Sequence, residues 1–393
     1  MVLQSLTPFR GIRTPDPGCE MAWFADLCGG DTAMIGVPDP TRRSSFEHCR
    51  SIVLTAEQQG FLNILLPTSY MIGQEVIPFA AAVAPSTSTI SLLPAIRLGE
   101  VHPPTLSRTI ATLDHLLKGR LCLNIISSEL PGLKEGGEYR YQRTAETIEL
   151  LRSAWTGDRL QCSGELLEFN LSGAPVRSYQ TGGPLLYFGG LSPLAREVAA
   201  RFCDVYLLWP LPEEELAAVI QDVSARAARY GRTIDFGLRI HVIVRDTRLD
   251  ARAWATHLAR GLDEAKRINL KGKTQDAASA GVVAQRSLRA MADREGYAEE
   301  VLWTTIGEVR SGASSAIVGD SAEVLEKLER YRTLGFRSFI LSGYPLIEEA
   351  QQVGRLVLPS LPNVRLSAVQ GRMPNGEPET PLTYGPLTYG DEG

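Results

Sequence analysis

Leu185-Leu186-Tyr187-Phe188-Gly189-Gly190-Leu191-Ser192-Pro193 reads as a strand, a two-glycine turn and the start of a helix. The run Leu185–Phe188 is apolar without alternation, which marks a strand covered on both faces, as in a parallel sheet flanked by helices. Ser192 can accept a bond from a first-turn amide and Pro193 suits the first helical position, so Pro193–Phe202 follows as a capped helix. The same unit recurs outward in both directions. Expected strands are Ala22–Phe24, Phe61–Leu66, Ile90–Ile96, Leu121–Ile126, Leu185–Phe188, Val205–Trp209, Leu238–Val244 and Ser338–Leu341. Helical periodicity covers Ser45–Gln59, Gln74–Ala84, Pro104–Leu117, Arg143–Trp155, Pro193–Phe202, Glu213–Tyr230, Asp250–Lys266 and Leu346–Val357. Eight strands in strict alternation with helices predict a closed (β/α)8 TIM barrel, where five or six would favour an open sheet.

Two segments interrupt the rhythm. Leu160–Leu171, with Ser163-Gly164 between apolar flanks, reads as a β-hairpin. Residues 267–312 have weak periodicity and form an insertion between strands seven and eight, of the kind that serves as a lid or stays loose. Ala316–Gly319 and a helix over Ser321–Leu334 then lead into the last strand. The expected organisation is a flexible arm over 1–20, a barrel over 21–361 and an extended or disordered tail over 362–393. That tail carries tandem repeats at Pro381–Gly385 and Pro386–Gly390.

Composition narrows the function classes. The 393 residues are 44% hydrophobic and 22% charged with a net charge of −5, an ordinary globular balance with no basic tract for nucleic acid. The six cysteines show no CxxC pair, and the five histidines show no metal-ligand spacing, so no metal site is expected. No apolar run approaches the ~20 residues of a membrane span, and the N-terminus lacks an apolar signal core. A cytoplasmic enzyme without a membrane partner is the expectation. Neither a GxSxG elbow nor a GxxxxGK[ST] phosphate loop occurs.

Barrel enzymes carry their chemistry where strands end. Those exits hold Thr68 after strand two, Arg97 after strand three, Ser127 and Ser128 after strand four, Trp209 at strand six and Tyr344 after strand eight. The turn Gly189-Gly190-Leu191-Ser192 offers amides and a helix N-terminus suited to a cofactor phosphate; a routine tight turn is the competing reading. In strand seven, Arg239 and His241 lie two apart and project to one face, which demands a wet or functional barrel interior or a buried ion pair. Arg310, between glycines at the end of the insertion, reads either as a closing cation over the pocket or as a solvated loop arginine.

Leu238–Arg245, Gly307–Asp320, Phe339–Ala350, Tyr187–Gly190 and Tyr206–Trp209 together resemble the bacterial-luciferase-like flavin-dependent monooxygenases, above all the alkanesulfonate monooxygenases. The likeness runs from about Met21 to Leu361. It implies a two-component enzyme that takes reduced FMN from an NAD(P)H-dependent flavin reductase and oxidises a small molecule with O2 through a flavin C4a-peroxide. Homodimers or homotetramers are usual in the family. By the same resemblance, Arg239, His241, Tyr344 and Arg310 are the catalytic set. Ser127, Tyr141, Gly189, Gly190, Leu191 and Ser192 hold the flavin, and Trp209, Thr68, Ile72 and Arg97 line the substrate pocket. Two departures bear on substrate. Ile72 stands where sulfonate-cleaving members carry a cysteine, and Ala25–Asp31 replaces a Pro-Thr-His run. Desulfonation to an aldehyde and sulfite, a hydroxylation and a Baeyer–Villiger step therefore all stay open. Deazaflavin hydride transfer and a non-catalytic flavin-binding barrel are the competing functions.

Overall fold

The computed structural model describes residues 11–69, 73–156, 160–171, 176–262, 279–308, 314–376 and 378. Eight parallel strands close a ring in the order β1 (Glu20–Phe24), β2 (Asn63–Leu66), β3 (Ser91–Arg97), β4 (Cys122–Ile126), β7 (Leu185–Gly189), β8 (Val205–Leu208), β9 (Asp235–Val244) and β13 (Phe336–Ser342). Closure is made by β13 against β1, with Glu20 opposite Ser338 and Ala22 opposite Ile340. The expected TIM barrel and all eight of its strands are present. β5 (Leu160–Ser163) and β6 (Glu168–Leu171) form the antiparallel hairpin.

Around the ring pack α1 (Phe46–Gln58), α2 (Val76–Val83), α3 (Pro103–Leu116), α4 (Gly137–Thr156), α5 (Pro193–Phe202), α6 (Glu213–Arg229), α7 (Arg248–Ala259), α8 (Ala280–Ala290), α9 (Ser321–Leu334) and α10 (Leu346–Leu356). Local chemistry sets their ends. Ser45 caps α1 through the His48 amide, and Ser192 caps α5 through the Ala195 amide. Asp320 and Glu323 form a reciprocal capping box on α9, which stops at left-handed Gly335. Two boundaries differ from expectation. α4 starts at Gly137, not Arg143, because its polar first turns are held by Tyr141 packing on Phe188 rather than by an apolar stripe. α7 ends at Ala259, and residues 263–266 of the longer expected helix lie outside the described residues.

Strand register decides which side chains point inward, since residues opposite one another share a face. Glu20, Asn63, Ser91, Cys122, Tyr187, Val205, Gly237 and Ser338 fill the bottom. Glu20 there accepts bonds from Asn63 Nδ2 at 2.9 Å and Tyr187 Oη at 2.7 Å, and full burial pushes its carboxyl upward. The layer is tightly filled at Gly237, where a Cβ would lie 3.1 Å from Leu207 Cδ1. One turn of the pleat higher, the inward positions include Phe24, Arg97, Asn124, Gly189, Leu207, Arg239 and His241, and here the barrel opens.

The insertion contains more order than its sequence pattern suggests. β12 (Ala316–Gly319) pairs in parallel with the far half of β9, beyond the point where β8 ends, and β11 (Leu302–Trp303) and β10 (Tyr297–Glu299) extend it antiparallel. Strands of two to four residues leave too little alternation to read. Residues 11–19 of the expected loose arm and 362–376 of the expected tail make ordered contacts. Thr14 donates to Asp235 at 2.6 Å, and the Leu366 amide donates to Glu20 at 3.0 Å. Gln370 donates to Asp235 at 2.7 Å, so residues 11–19 and 361–376 seal the barrel bottom. The tandem repeats lie outside the described residues.

Candidate active site

The open end of the barrel is built from strand exits. On β9, Arg239 and His241 point inward as the pleat requires, with Ile340 and Ser342 of β13 opposite them. Both are buried, at 6% and 1% exposure. The Arg239 guanidinium lies over the Phe24 ring at 4.4 Å and donates to the carbonyls of Ile240 at 3.1 Å and Ile340 at 3.4 Å. A cation held by ring face and carbonyl dipoles keeps its charge at low solvent cost, which is the form an anion-binding group needs. His241 Nδ1 is 2.6 Å from Ser342 Oγ, and its ring lies 5.7 Å from the Tyr344 ring at 31°. Three of the four expected catalytic residues are thus one cluster. The fourth, Arg310, lies outside the described residues, as does the pocket residue Ile72.

The expected flavin-binding residues gather at a second position on the same rim. Gly189 ends β7 and is exposed, and Gly190 follows with φ 142°, where a side chain is strained. A Cβ on Gly190 would sit 2.8 Å from Ala195 Cβ and 3.8 Å from Tyr141 Oη, so the turn must stay bare. Ser192 Oγ and Tyr141 Oη are 3.2 Å apart and half-buried. The Leu191 carbonyl accepts from Arg196 at 3.1 Å, and Ser127 Oγ is bonded to Thr144 at 2.9 Å and the Arg140 carbonyl at 3.2 Å. Bare backbone, a helix N-terminus and neighbouring half-buried hydroxyls suit a phosphorylated ligand.

Arg97 and Ser128 tie the exits of β3 and β4, with Nε donating to Oγ at 2.7 Å and Nη1 to Glu100 at 2.5 Å. Thr68 is half-buried past the end of β2. Trp209, past β8, packs against α8 at Gly281, where a Cβ would lie 3.1 Å from its ring. The Ala25–Asp31 turn serves structure. Asp26 accepts the Cys28 and Gly29 amides, and Asp31 accepts the Leu346 amide with both oxygens, at 2.9 and 3.1 Å.

Sequence reasoning missed Phe24, the partner of Arg239, and had Ser342 only as an exit residue of strand eight, not as the partner of His241. The signal for Ser342 was its parity in strand eight; Phe24 had none, since an aromatic in a strand is ordinary core. Asn124 was also missed, although an amide in a central strand is unusual. Among the described residues no group of three or more side chains could hold a metal, and no helix is long and apolar enough to cross a membrane.

The family model for luciferase-like monooxygenases matches residues 31–338. A sulfoquinovose monooxygenase of Agrobacterium fabrum (strain C58) is 48% identical over 368 residues, covering 93% of this chain and 96% of that protein. A second sulfoquinovose monooxygenase, from Novosphingobium aromaticivorans, is 46% identical over 353 residues, covering 88% and 98%. Among solved structures, a long-chain alkane monooxygenase superposes with a TM-score of 0.72 at 18% identity over 95% of this chain and 97% of its own, a likeness of fold.

Proposed function

Given that this chain belongs to the luciferase-like monooxygenase family and is a flavin-dependent monooxygenase, we propose that it uses reduced FMN and O2 to desulfonate sulfoquinovose, a sulfonated sugar. The observation that carries the reading is near full-length similarity to two sulfoquinovose monooxygenases, joined to a buried arginine and histidine facing into the barrel mouth. The overall change balances as sulfonate plus O2 plus reduced FMN giving aldehyde, sulfite, oxidised FMN, water and one proton. The C–S bond breaks and its carbon is oxidised.

The glycine turn suits FMN, because it brings side-chain-free backbone to the N-terminus of α5 beside the Ser192 and Tyr141 hydroxyls, donors that a phosphate can use. Ser127, Tyr141, Gly189, Gly190, Leu191 and Ser192 would hold it there. When bound, the reduced flavin supplies two electrons for the activation of O2. A separate NAD(P)H-dependent flavin reductase is the source of reduced FMN that the family resemblance implies. Arg239 binds the sulfonate in a site poor in water, where a charge-assisted pair is strongest. Ser342 engages His241 at Nδ1 and so orients the imidazole for proton transfer. Tyr344 packs on that imidazole and limits its rotation. Arg97, Thr68 and Trp209 line the substrate side.

The test is sulfite release from sulfoquinovose with photoreduced FMN in air, beside linear alkanesulfonates of two to eight carbons. Preference for the sulfosugar is expected. Failure to bind reduced FMN at micromolar concentration overturns the cofactor, and tight flavin binding without sulfite overturns the substrate.

A further inference from the structure

Behind the catalytic cluster, one partly buried network joins the ends of the two strands that carry it. Arg245 follows directly on β9 and makes a bidentate pair with Glu349 of α10, at 3.0 and 2.6 Å. Glu349 is 1% exposed. The Arg245 guanidinium lies over the Trp254 ring of α7 at 4.7 Å, and Trp254 Nε1 donates to the Tyr344 carbonyl at 3.3 Å. The Glu349 amide donates to the Pro345 carbonyl at 2.9 Å. Directly above, Gly343 lies so close that a Cβ on it would fall 2.6 Å from Glu349 Cβ and 3.0 Å from the Val242 carbonyl. The turn Ser342-Gly343-Tyr344-Pro345 therefore rests on Glu349 and is held from the side by Trp254. Its two ends are the hydroxyl on His241 Nδ1 and the ring against the imidazole.

A bidentate pair needs both of its hydrogen bonds to keep its geometry. A buried one is poor evidence for stability in its own right, because desolvation offsets much of the attraction. Here it couples three elements at the one place where Ser342 and Tyr344 are aimed.

We propose that Arg245, Trp254 and Glu349 form a positioning clamp that sets Ser342 and Tyr344 against His241. All three act through the Ser342–Pro345 turn, so they are positioning residues and not catalytic ones. The inference rests on the reading of this mouth as the active site, and its test separates the two. Glu349→Gln keeps volume and one hydrogen bond but ends the bidentate pair. It should lower kcat for sulfite release roughly tenfold to a hundredfold, as sub-ångström misplacement does, and leave KM and reduced-FMN affinity within about threefold. In a Ser342→Ala background the same change should cost much less, because the hydroxyl it aims at His241 is gone. Asp246→Asn, next in sequence and exposed, should leave turnover unchanged.

A second readout needs no substrate. In protein labelled at histidine, the His241 imidazole resonances, assigned by their loss in His241→Gln, should shift in Glu349→Gln and stay put in Asp246→Asn. Non-additive turnover with a shifted His241 supports the clamp. A shifted His241 in an enzyme that releases no sulfite supports the clamp and overturns the proposed reaction. Additive turnover losses with an unmoved His241 overturn the clamp while leaving the reaction standing.

Discussion

Replacing Arg239 by methionine is the sharpest test of the mouth. The guanidinium is buried, stacked on Phe24 and bonded to two carbonyls, so it is fixed before any ligand arrives. Its hydrogen bonds to a sulfonate are charge-assisted, worth about 1.5–3 kcal/mol each. At 1.4 kcal/mol per factor of ten, loss of one lowers kcat/KM roughly 10- to 150-fold, and loss of a bidentate pair by the square of that. Methionine fills much of the same tunnel and leaves no charge to desolvate, so the melting temperature should stay within about 2 °C or rise. Arg239→Lys keeps the charge but loses the planar fork and should fall between the two. The assay is sulfite release at varied sulfoquinovose, with flavin affinity measured separately. Retention of kcat/KM within about threefold in the methionine variant, or an equal loss of reduced-FMN affinity, would refute the assignment of Arg239 to the sulfonate.

Gly190→Ala places a methyl 2.8 Å from Ala195 Cβ at φ 142°, so it should weaken FMN binding at least tenfold and cost about 1–3 kcal/mol in stability, read by fluorescence titration and thermal melts. Burial pushes Glu349 up to about 7 against the pull of Arg245, with Glu348 adding to the rise. A carboxyl with a raised folded value favours its protonated form, so wild-type stability should fall as pH climbs from about 4.5 to 7 relative to Glu349→Gln. A total of roughly 3 kcal/mol is expected from paired urea melts, and a flat difference would count against the burial argument. Cys19, Cys49 and Cys203 are buried, with their thiols pushed up to about 11, 12 and 12, whereas Cys28 is half-buried at the mouth. Ellman's reagent should therefore label about one thiol per native chain, and that label should vanish in Cys28→Ser.

Legibility followed the length scale of each interaction. The eight strands were readable because a strand covered on both faces must be apolar throughout, and helices between them must carry one apolar stripe. The pair on strand seven was readable because parity along a strand is a local property. Ser342 against His241 was not, since it depends on β13 and β9 lying side by side with those residues opposite, a pairing more than ninety positions apart in the chain. Strands β10 and β11 of the insertion were missed because two or three residues show no alternation, and they are held in place only by pairing onto β12, which itself lies on the half of β9 that overhangs β8.

From the sequence alone came the barrel, the inward arginine and histidine, the bare glycine turn and the family they resemble. All of these depend on neighbours within a few residues, or on a repeated pattern that survives errors in any one element. The tertiary structure decided what stands against what: Phe24 under Arg239, Ser342 on His241, Trp254 and Glu349 behind Tyr344, and Thr14, Leu366 and Gln370 against the barrel floor. Those contacts arise from register and closure of the whole ring, which are set by the sum of many weak packing preferences and leave no mark in any single stretch of chain.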